Sequence, residues 1–353
     1  MKTGKTLTQL ATEIERQVKS KRDFVADTRQ LKLVTDEQDN FGMMINSHGR
    51  FGMTEIAHEQ VAGRLGIPQK YYDRMRKESP YLLLENANHW LRSVPEKRLV
   101  RTLDGNARAF LSDRYRPLDN FELAENVLPK LQKAGCRVES CELTERRMYI
   151  KAVTERVTGE VKKGDVVQAG IVISNSEIGC GSVRIEPMLL RLVCMNGAII
   201  NDTAMRKYHV GRGNGDDFEG VEEFFRDSTR QAADKAFWMK VRDVVDATLD
   251  QVMFSRMLER MKDATANAIA PKADIPQVVE RMAQRLNLNE NEGKGVLNHL
   301  IMGGDLSQYG LFNAVTRTAQ DIESYDRATD LERAGWQVIE LSRHDWDSIA
   351  SRN

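Results

Sequence analysis

The segment that most restricts the fold is residues 166–212, where three short stretches with different hydrophobic patterns follow one another. Residues 166–173 are mostly apolar and β-branched, which is typical of a buried strand. Residues 180–186 alternate between apolar and polar side chains, as in a second strand with one buried face. Pro187 suits the first turn of a helix, so a helix is expected over residues 188–196. The polar surfaces of this strand, turn, strand and helix carry Arg184, Arg191, Arg206, Lys207 and Arg212.

The residues just before this segment predict the rest of a sheet. A helix is expected over residues 120–133, and an antiparallel pair of strands over residues 137–143 and 147–154. The order from residue 119 to residue 200 is then helix, four strands and helix. We therefore expect an α+β fold, with a central antiparallel sheet of about four or more strands packed with helices.

One face of this sheet is expected to stay open. In the strand at residues 147–154 the apolar side chains share one face, and Arg147, Tyr149 and Lys151 share the other. Arg184 of the neighbouring segment adds a further cation to that face. Cations with an interleaved aromatic ring suit the phosphates and stacked bases of a single nucleic-acid strand. An ordinary solvated sheet face is the alternative interpretation.

The N-terminal part of the chain predicts helices and two hairpins. A helix is expected near residues 7–21, and hairpins over residues 41–51 and 98–111. Between the hairpins, a helix beginning after Thr54 is followed by a Gly-containing turn and a second short helix. This second helix carries Lys70, Arg74, Arg76 and Lys77. The pattern fits a DNA-reading helix-turn-helix, but it also fits a helical hairpin packed on the core over the Tyr71-Tyr72 pair.

Charge divides the chain into three consecutive regions. Residues 1–97 form a helical region with a hairpin and carry a net charge of +3, from 16 Lys/Arg against 13 Asp/Glu. Residues 98–212 form a basic α+β core with a net charge of +5, from 19 against 14. Residues 213–353 are expected to be α-helical and carry −8, from 17 against 25. This asymmetry predicts a central surface for polyanions and an acidic region with a different partner.

No residue pattern in the chain predicts catalysis, a cofactor or a metal site. The cysteines do not have the spacing of zinc or redox motifs, so we expect four free thiols: Cys136, Cys141, Cys180 and Cys194. The enzymatic alternative is a metal-dependent nuclease that uses Asp113 and Asp119, or a site formed by His89 with Glu85.

The chain also lacks the patterns that direct a protein to a membrane. No run approaches the roughly 18–20 apolar residues that cross a bilayer. The first residues contain acids and no apolar core of a secretory signal. The expected location is the cytoplasm, with no membrane partner.

Several segments together resemble a phage- and plasmid-borne family that is catalogued as a domain of unknown function. The likeness runs from about residue 41 to residue 331 and has the same segment order. The segments are ENANHWL (85–91), LSDRYRPLDN (111–120), NSEIGCGSVRIEPMLLRLVCMNGAI (175–199), VGRGNG (210–215) and NAVTRTAQDIESYDRATDLE (313–332). The resemblance identifies a family and implies no established activity.

The order of elements is also similar to the core of single-strand annealing proteins of the Red-beta, RecT and Erf type. That resemblance implies a homo-oligomeric ring or filament that binds single-stranded DNA and promotes annealing in recombination, without covalent catalysis. A host or phage replication protein would be a further partner. It implies these DNA contacts: Arg114, Tyr115, Arg116, Arg147, Tyr149, Lys151, Arg184, Arg191, Arg206, Lys207 and Arg212. The alternative is a non-enzymatic regulator of a mobile element, whose acidic C-terminal region binds a host protein.

Overall fold

The chain forms two compact units. The computed structural model describes residues 1–115, 118–200, 227–271 and 273–351. The first unit contains Met1–Leu10, Glu122–Asn175 and Ser182–Asn353. The second unit contains Ala11–Phe121 and Ser176–Gly181.

The second unit is built on a six-stranded sheet. Its strands are β1 (Arg22–Asp27), β2 (Leu31–Thr35), β3 (Phe41–Ile45), β4 (Gly49–Met53), β5 (Lys97–Leu103) and β6 (Asn106–Ser112). They lie in the order β1-β5-β6-β4-β3-β2. Neighbours pair antiparallel except β4 and β6, which pair parallel. The expected hairpins, β3–β4 and β5–β6, are both confirmed.

Helices cover the apolar side of this sheet. They are α2 (Glu55–Arg64), α3 (Gln69–Glu78) and α4 (Pro80–Ser93), and α1 (Leu7–Ser20) precedes β1. Thr54 begins α2 because its side chain accepts a hydrogen bond from the Ala57 backbone N–H. Tyr72 of α3 and Leu83 of α4 are buried in one apolar cluster with Val100 of β5. Helices and sheet therefore share one core.

The first unit is built on a five-stranded antiparallel sheet. Its strands are β7 (Cys136–Leu143), β8 (Met148–Glu160), β9 (Val166–Asn175), β10 (Arg184–Arg191) and β11 (Asn196–Ile199), and α5 (Asn120–Lys133) precedes them. They lie in the order β11-β10-β9-β8-β7. Tyr149 pairs with Ser174, which pairs with Arg184 across the sheet. These three residues therefore share one face.

The described residues from 227 onward are mainly helical, as expected for the C-terminal region. The helices are α6 (Asp227–Thr248), α7 (Gln251–Ala266), α8 (Ile275–Arg285), α9 (Glu290–Gly303), α10 (Gln308–Asp321), α11 (Tyr325–Ile339) and α12 (Arg343–Ala350). Asp250 starts α7 by accepting hydrogen bonds from two backbone N–H groups, which separates α7 from α6. The mixed architecture of sheets and helices confirms the predicted fold class.

The helix expected over residues 188–196 is wrong, because these residues continue β10 and then turn into β11. Met188 and Leu190 are buried on one face of the strand, and Pro187 and Leu189 on the other. A strand covered on both faces is apolar throughout, and its sequence pattern does not differ from that of a short buried helix. Met195, with φ of +52°, makes the turn between the two strands.

Candidate nucleic-acid interface

The sheet face that was expected to be open is covered by α11. The Tyr149 hydroxyl donates a hydrogen bond of 2.7 Å to Asp326. The Lys151 ammonium lies 2.5 Å from the Glu332 carboxylate, and both of these side chains are fully buried. The expectation of a solvent-facing Tyr149 and Lys151 is therefore wrong. The strand pattern alone does not show that a helix about 180 residues further along the chain packs on its polar face.

Burial changes the ionisation of this covered face. Desolvation lowers the pKa of Lys151, although the Glu332 carboxylate opposes the shift. On the same face, Arg333 of α11 donates two hydrogen bonds to Glu186, of 2.9 and 2.7 Å. The charges here hold α11 to the sheet and are not presented to solvent.

The other expected contacts in the first unit lie at different places. Arg184 and Arg147 are half-buried. Burial lowers the pKa of Arg184, and the nearby charges of Arg333 and Arg147 lower it further. Arg191 lies at the opposite end of β10 from Arg184 and is ion-paired to Asp165 at 2.5 Å. Among the described residues of this unit, the expected contacts do not form one continuous groove.

The remaining expected contacts divide between the second unit and residues outside the described ones. Arg114 is exposed in the turn that follows β6. Tyr115 is half-buried, and its hydroxyl donates to the Ser176 carbonyl at 3.3 Å. Four of the expected residues lie outside the described part of the chain: Arg116, Arg206, Lys207 and Arg212.

A surface with the expected chemistry lies instead on α3 and α4 of the second unit. Three aromatic side chains project from it, with exposed fractions of 46% for Tyr71, 74% for Tyr81 and 45% for Trp90. Exposed cations and one exposed aliphatic residue lie on the same two helices. We define the α3–α4 surface as Lys70, Tyr71, Arg74, Lys77, Tyr81, Leu82, Trp90 and Arg92.

The helical repeat explains why these residues are exposed. Both helices bury one stripe in the same core, through Tyr72 and Met75 of α3 and Leu83 and Leu91 of α4. The other sides of both helices face solvent. Tyr81 and Trp90 are nine residues apart, so they project from opposite sides of α4. The expected position of Tyr71 beneath the helices is therefore wrong, whereas Tyr72 does lie there. The spacing of the buried residues in α4 was the signal that could have found Tyr81 and Trp90.

Buried hydrogen bonds hold the two helices in place. His58 Nδ1 lies 2.8 Å from the Tyr72 hydroxyl, which fixes α3 against α2. The Asn88 side chain accepts a hydrogen bond from the Leu33 backbone N–H at 2.8 Å and donates one to the Leu33 carbonyl at 2.9 Å. These two bonds fix α4 against β2. Burial lowers the pKa of His58 to about 4, so this contact is made by a neutral imidazole at pH 7. The surface is thus presented by a rigid support.

The charges and rings of the surface suit contact with an anionic polymer that has flat bases. Lys70, Arg74 and Lys77 recur along the exposed side of α3, and Arg74 is also paired with Glu78 at 2.8 Å. On α4 the Trp90 ring packs edge-on against His89, with centroids 5.2 Å apart. Exposed rings stack on bases while lysine and arginine contact phosphates. A surface of this composition can bind a single strand without any reacting group.

In the described part of the chain, no group of three or more His, Cys, Asp and Glu side chains could hold a metal ion. The four cysteines are free thiols, and Cys141 is buried. No helix in the described ranges is both long and apolar enough to cross a bilayer.

Comparison with known proteins gives a family. No curated protein and no solved structure matches the chain. A family model matches residues 109–342, which is more than half of the chain and includes the whole sheet of the first unit. The α3–α4 surface lies before the matched residues. The chain belongs to the family described as a domain of unknown function (DUF932).

Proposed function

We propose that this protein binds single-stranded DNA through the α3–α4 surface and promotes annealing, as in phage and plasmid recombination, without covalent catalysis. The observation that carries the proposal is the set of three exposed aromatic rings among four cations on two core-anchored helices. This location replaces the sheet face, where Tyr149 and Lys151 are buried.

Base stacking explains how these rings would bind a nucleic acid. Leaving a large apolar side chain in water forgoes about 1.5–3 kcal/mol of burial free energy, which any apolar partner can recover. Stacking a base on an aromatic side chain contributes about 1–3 kcal/mol per base, while lysine and arginine contact the phosphates. Each of Tyr71, Tyr81 and Trp90 can stack on one base.

The same contacts favour a single strand over a duplex. Bases in a duplex are stacked on one another, so their faces are not accessible to side-chain rings. Stacking on a protein ring uses the face of a base and leaves its Watson–Crick edge free. A complementary strand can then pair with the bound one, which is the step that annealing requires.

Fluorescence anisotropy with a labelled oligothymidine tests the proposal. The double variant Tyr81→Ala/Trp90→Ala should lose at least about tenfold in affinity, because two stacking contacts disappear. Phe121→Ala is the matched control, since Phe121 is an exposed aromatic outside the α3–α4 surface, and it should bind as the wild type does. Equal binding by all three proteins, or no binding by the wild type at low salt, would exclude this interface.

The salt dependence of the affinity, measured in the same titration, tests the phosphate contacts. For single strands, log K falls with log salt by about 0.7 for each phosphate contacted. Four cations predict a slope of about −3, and Lys70→Ala/Lys77→Ala should reduce its magnitude by about 1.4. A slope that the double substitution leaves unchanged would place the phosphate contacts elsewhere.

A further inference from the structure

A polar cleft in the first unit has the size and composition of a small-molecule site. Its volume is about 550 Å³, within the range of about 300–1,000 Å³ that ligand sites occupy. Four segments line it: the β8–β9 turn, the β10–β11 turn, the end of α9 and α10 as far as Arg317. All four belong to the first unit, so the cleft is separate from the α3–α4 surface.

An arginine is fixed in the wall of this cleft. Buried Asp165 accepts hydrogen bonds from Arg191 Nε at 2.5 Å and Nη2 at 2.8 Å, and a third from the Tyr309 hydroxyl at 2.8 Å. The remaining guanidinium nitrogen, Nη1, lies 3.0 Å from the Cys194 sulfur. Burial alone would lower the pKa of Arg191, but the Asp165 hydrogen bonds outweigh it and raise the pKa. The guanidinium is therefore charged and held in one orientation before any ligand arrives.

The cleft has a small excess of positive charge. Its lining contains four cationic side chains and two carboxylates, and one of the cations, Arg317, is paired at 3.1 Å with Asp321 outside the lining. The remaining excess is one positive charge. The cations are Lys162, Lys163, Arg191 and Arg317, and the carboxylates are Asp165 and Asp305. Gly310 in the first turn of α10 also lines the cleft, so the positive end of that helix dipole lies there.

Apolar side chains, among them Val193, Leu300 and Met302, form another part of the lining. A complementary ligand has an anionic group and an apolar or planar body.

We propose that this cleft binds a mononucleotide, with its phosphate near Arg191 and Lys163 and its nucleoside against the apolar part of the lining. The proposal does not depend on DNA binding by the α3–α4 surface, and either can fail while the other holds.

Alkylation of Cys194 reports on occupancy of the cleft without an activity assay. Cys194 lies in the lining, whereas half-buried Cys136 lies outside it and serves as an internal control. Adenosine monophosphate at a few millimolar should slow N-ethylmaleimide labelling of Cys194 at least about fivefold, as read by peptide mass spectrometry. Labelling of Cys136 should not change. Protection by adenosine equal to that by adenosine monophosphate would overturn the role of the phosphate.

Calorimetry with charge-reversal variants completes the test. Lys163→Glu should weaken adenosine monophosphate binding at least tenfold, whereas Lys240→Glu, an exposed lysine on α6, should not alter it. Both lysines are exposed, so both variants are expected to fold. The proposal is overturned if adenosine, guanosine, cytidine and uridine monophosphates all give neither heat nor protection of Cys194.

Discussion

At the scale of single residues, the most informative pair is Lys151 and Glu332. Their charged groups lie 2.5 Å apart and are both withdrawn from water. The sequence suggested a phosphate contact at Lys151, because alternation places it beside Tyr149 on a polar face. Alternation identifies the polar face of a strand, but it does not reveal whether water or a helix lies against that face.

This burial predicts a large effect of removing one partner. Glu332→Gln should lower the free energy of unfolding by about 3–5 kcal/mol, because it leaves the Lys151 ammonium buried without a counter-charge. Urea denaturation followed by circular dichroism measures the change. Glu290→Gln removes an exposed pair with Lys294 and should cost less than about 0.5 kcal/mol. Equal effects of the two substitutions would show that Lys151 is hydrated.

His58 predicts how the second unit responds to pH. Burial lowers its pKa from 6.5 to about 4, and the charge of Arg76 adds to the shift. As the pH falls, His58 therefore binds a proton near pH 6.5 in the unfolded chain but only near pH 4 in the folded chain. The contribution of neutral His58 to stability is complete above pH 6.5 and is lost as the pH falls towards 4.

The size of this loss follows from the shift of the pKa. At about 1.4 kcal/mol per unit, the wild type should lose roughly 3 kcal/mol more between pH 7 and pH 4 than His58→Gln does. Urea denaturation at the two pH values measures it, with His48→Gln, at an exposed histidine, as the control. If His58→Gln and the wild type lose the same stability, folding does not lower the pKa of His58.

At the scale of helices and strands, the sequence predicted the tight turns, because their backbone conformation depends on neighbouring residues. The β5–β6 hairpin turns at Asp104 and Gly105, with φ of +50° and +74°, as the Asp-Gly pair indicated. The helix expected over residues 188–196 was wrong because both faces of β10 are buried, which removes the two-residue repeat. Long-range packing, and not local preference, makes that segment a strand.

The start of α7 gives a prediction at this scale. Asp250 accepts hydrogen bonds from the Val252 and Met253 N–H groups, at 2.8 and 3.2 Å. Asp250→Ala should cost about 1 kcal/mol in unfolding free energy, whereas Asp250→Ser should retain most of the stability. Thermal denaturation of both variants measures the difference. If the Asp250 carboxylate is only solvated and does not cap the helix, the two substitutions should have the same effect.

At the scale of the whole molecule, the two proposed sites belong to different compact units. The second unit presents a basic aromatic surface on α3 and α4, and the first contains the polar cleft. Strand alternation favoured the sheet face for contacts by cations and an aromatic ring, but α11 covers Tyr149 and Lys151 on that face. In the second unit, Tyr72 packs in the core, whereas Tyr71, Tyr81 and Trp90 are exposed on α3 and α4.

Photo-crosslinking tests the central claim most directly, because it locates the bound strand on the chain. A bromodeoxyuridine oligonucleotide is irradiated with the protein, and the linked peptides are identified by mass spectrometry. The account predicts crosslinks at Tyr71, Tyr81 or Trp90 that disappear when unlabelled oligothymidine competes. Crosslinks found only outside α3 and α4, with none at these three rings, would contradict it.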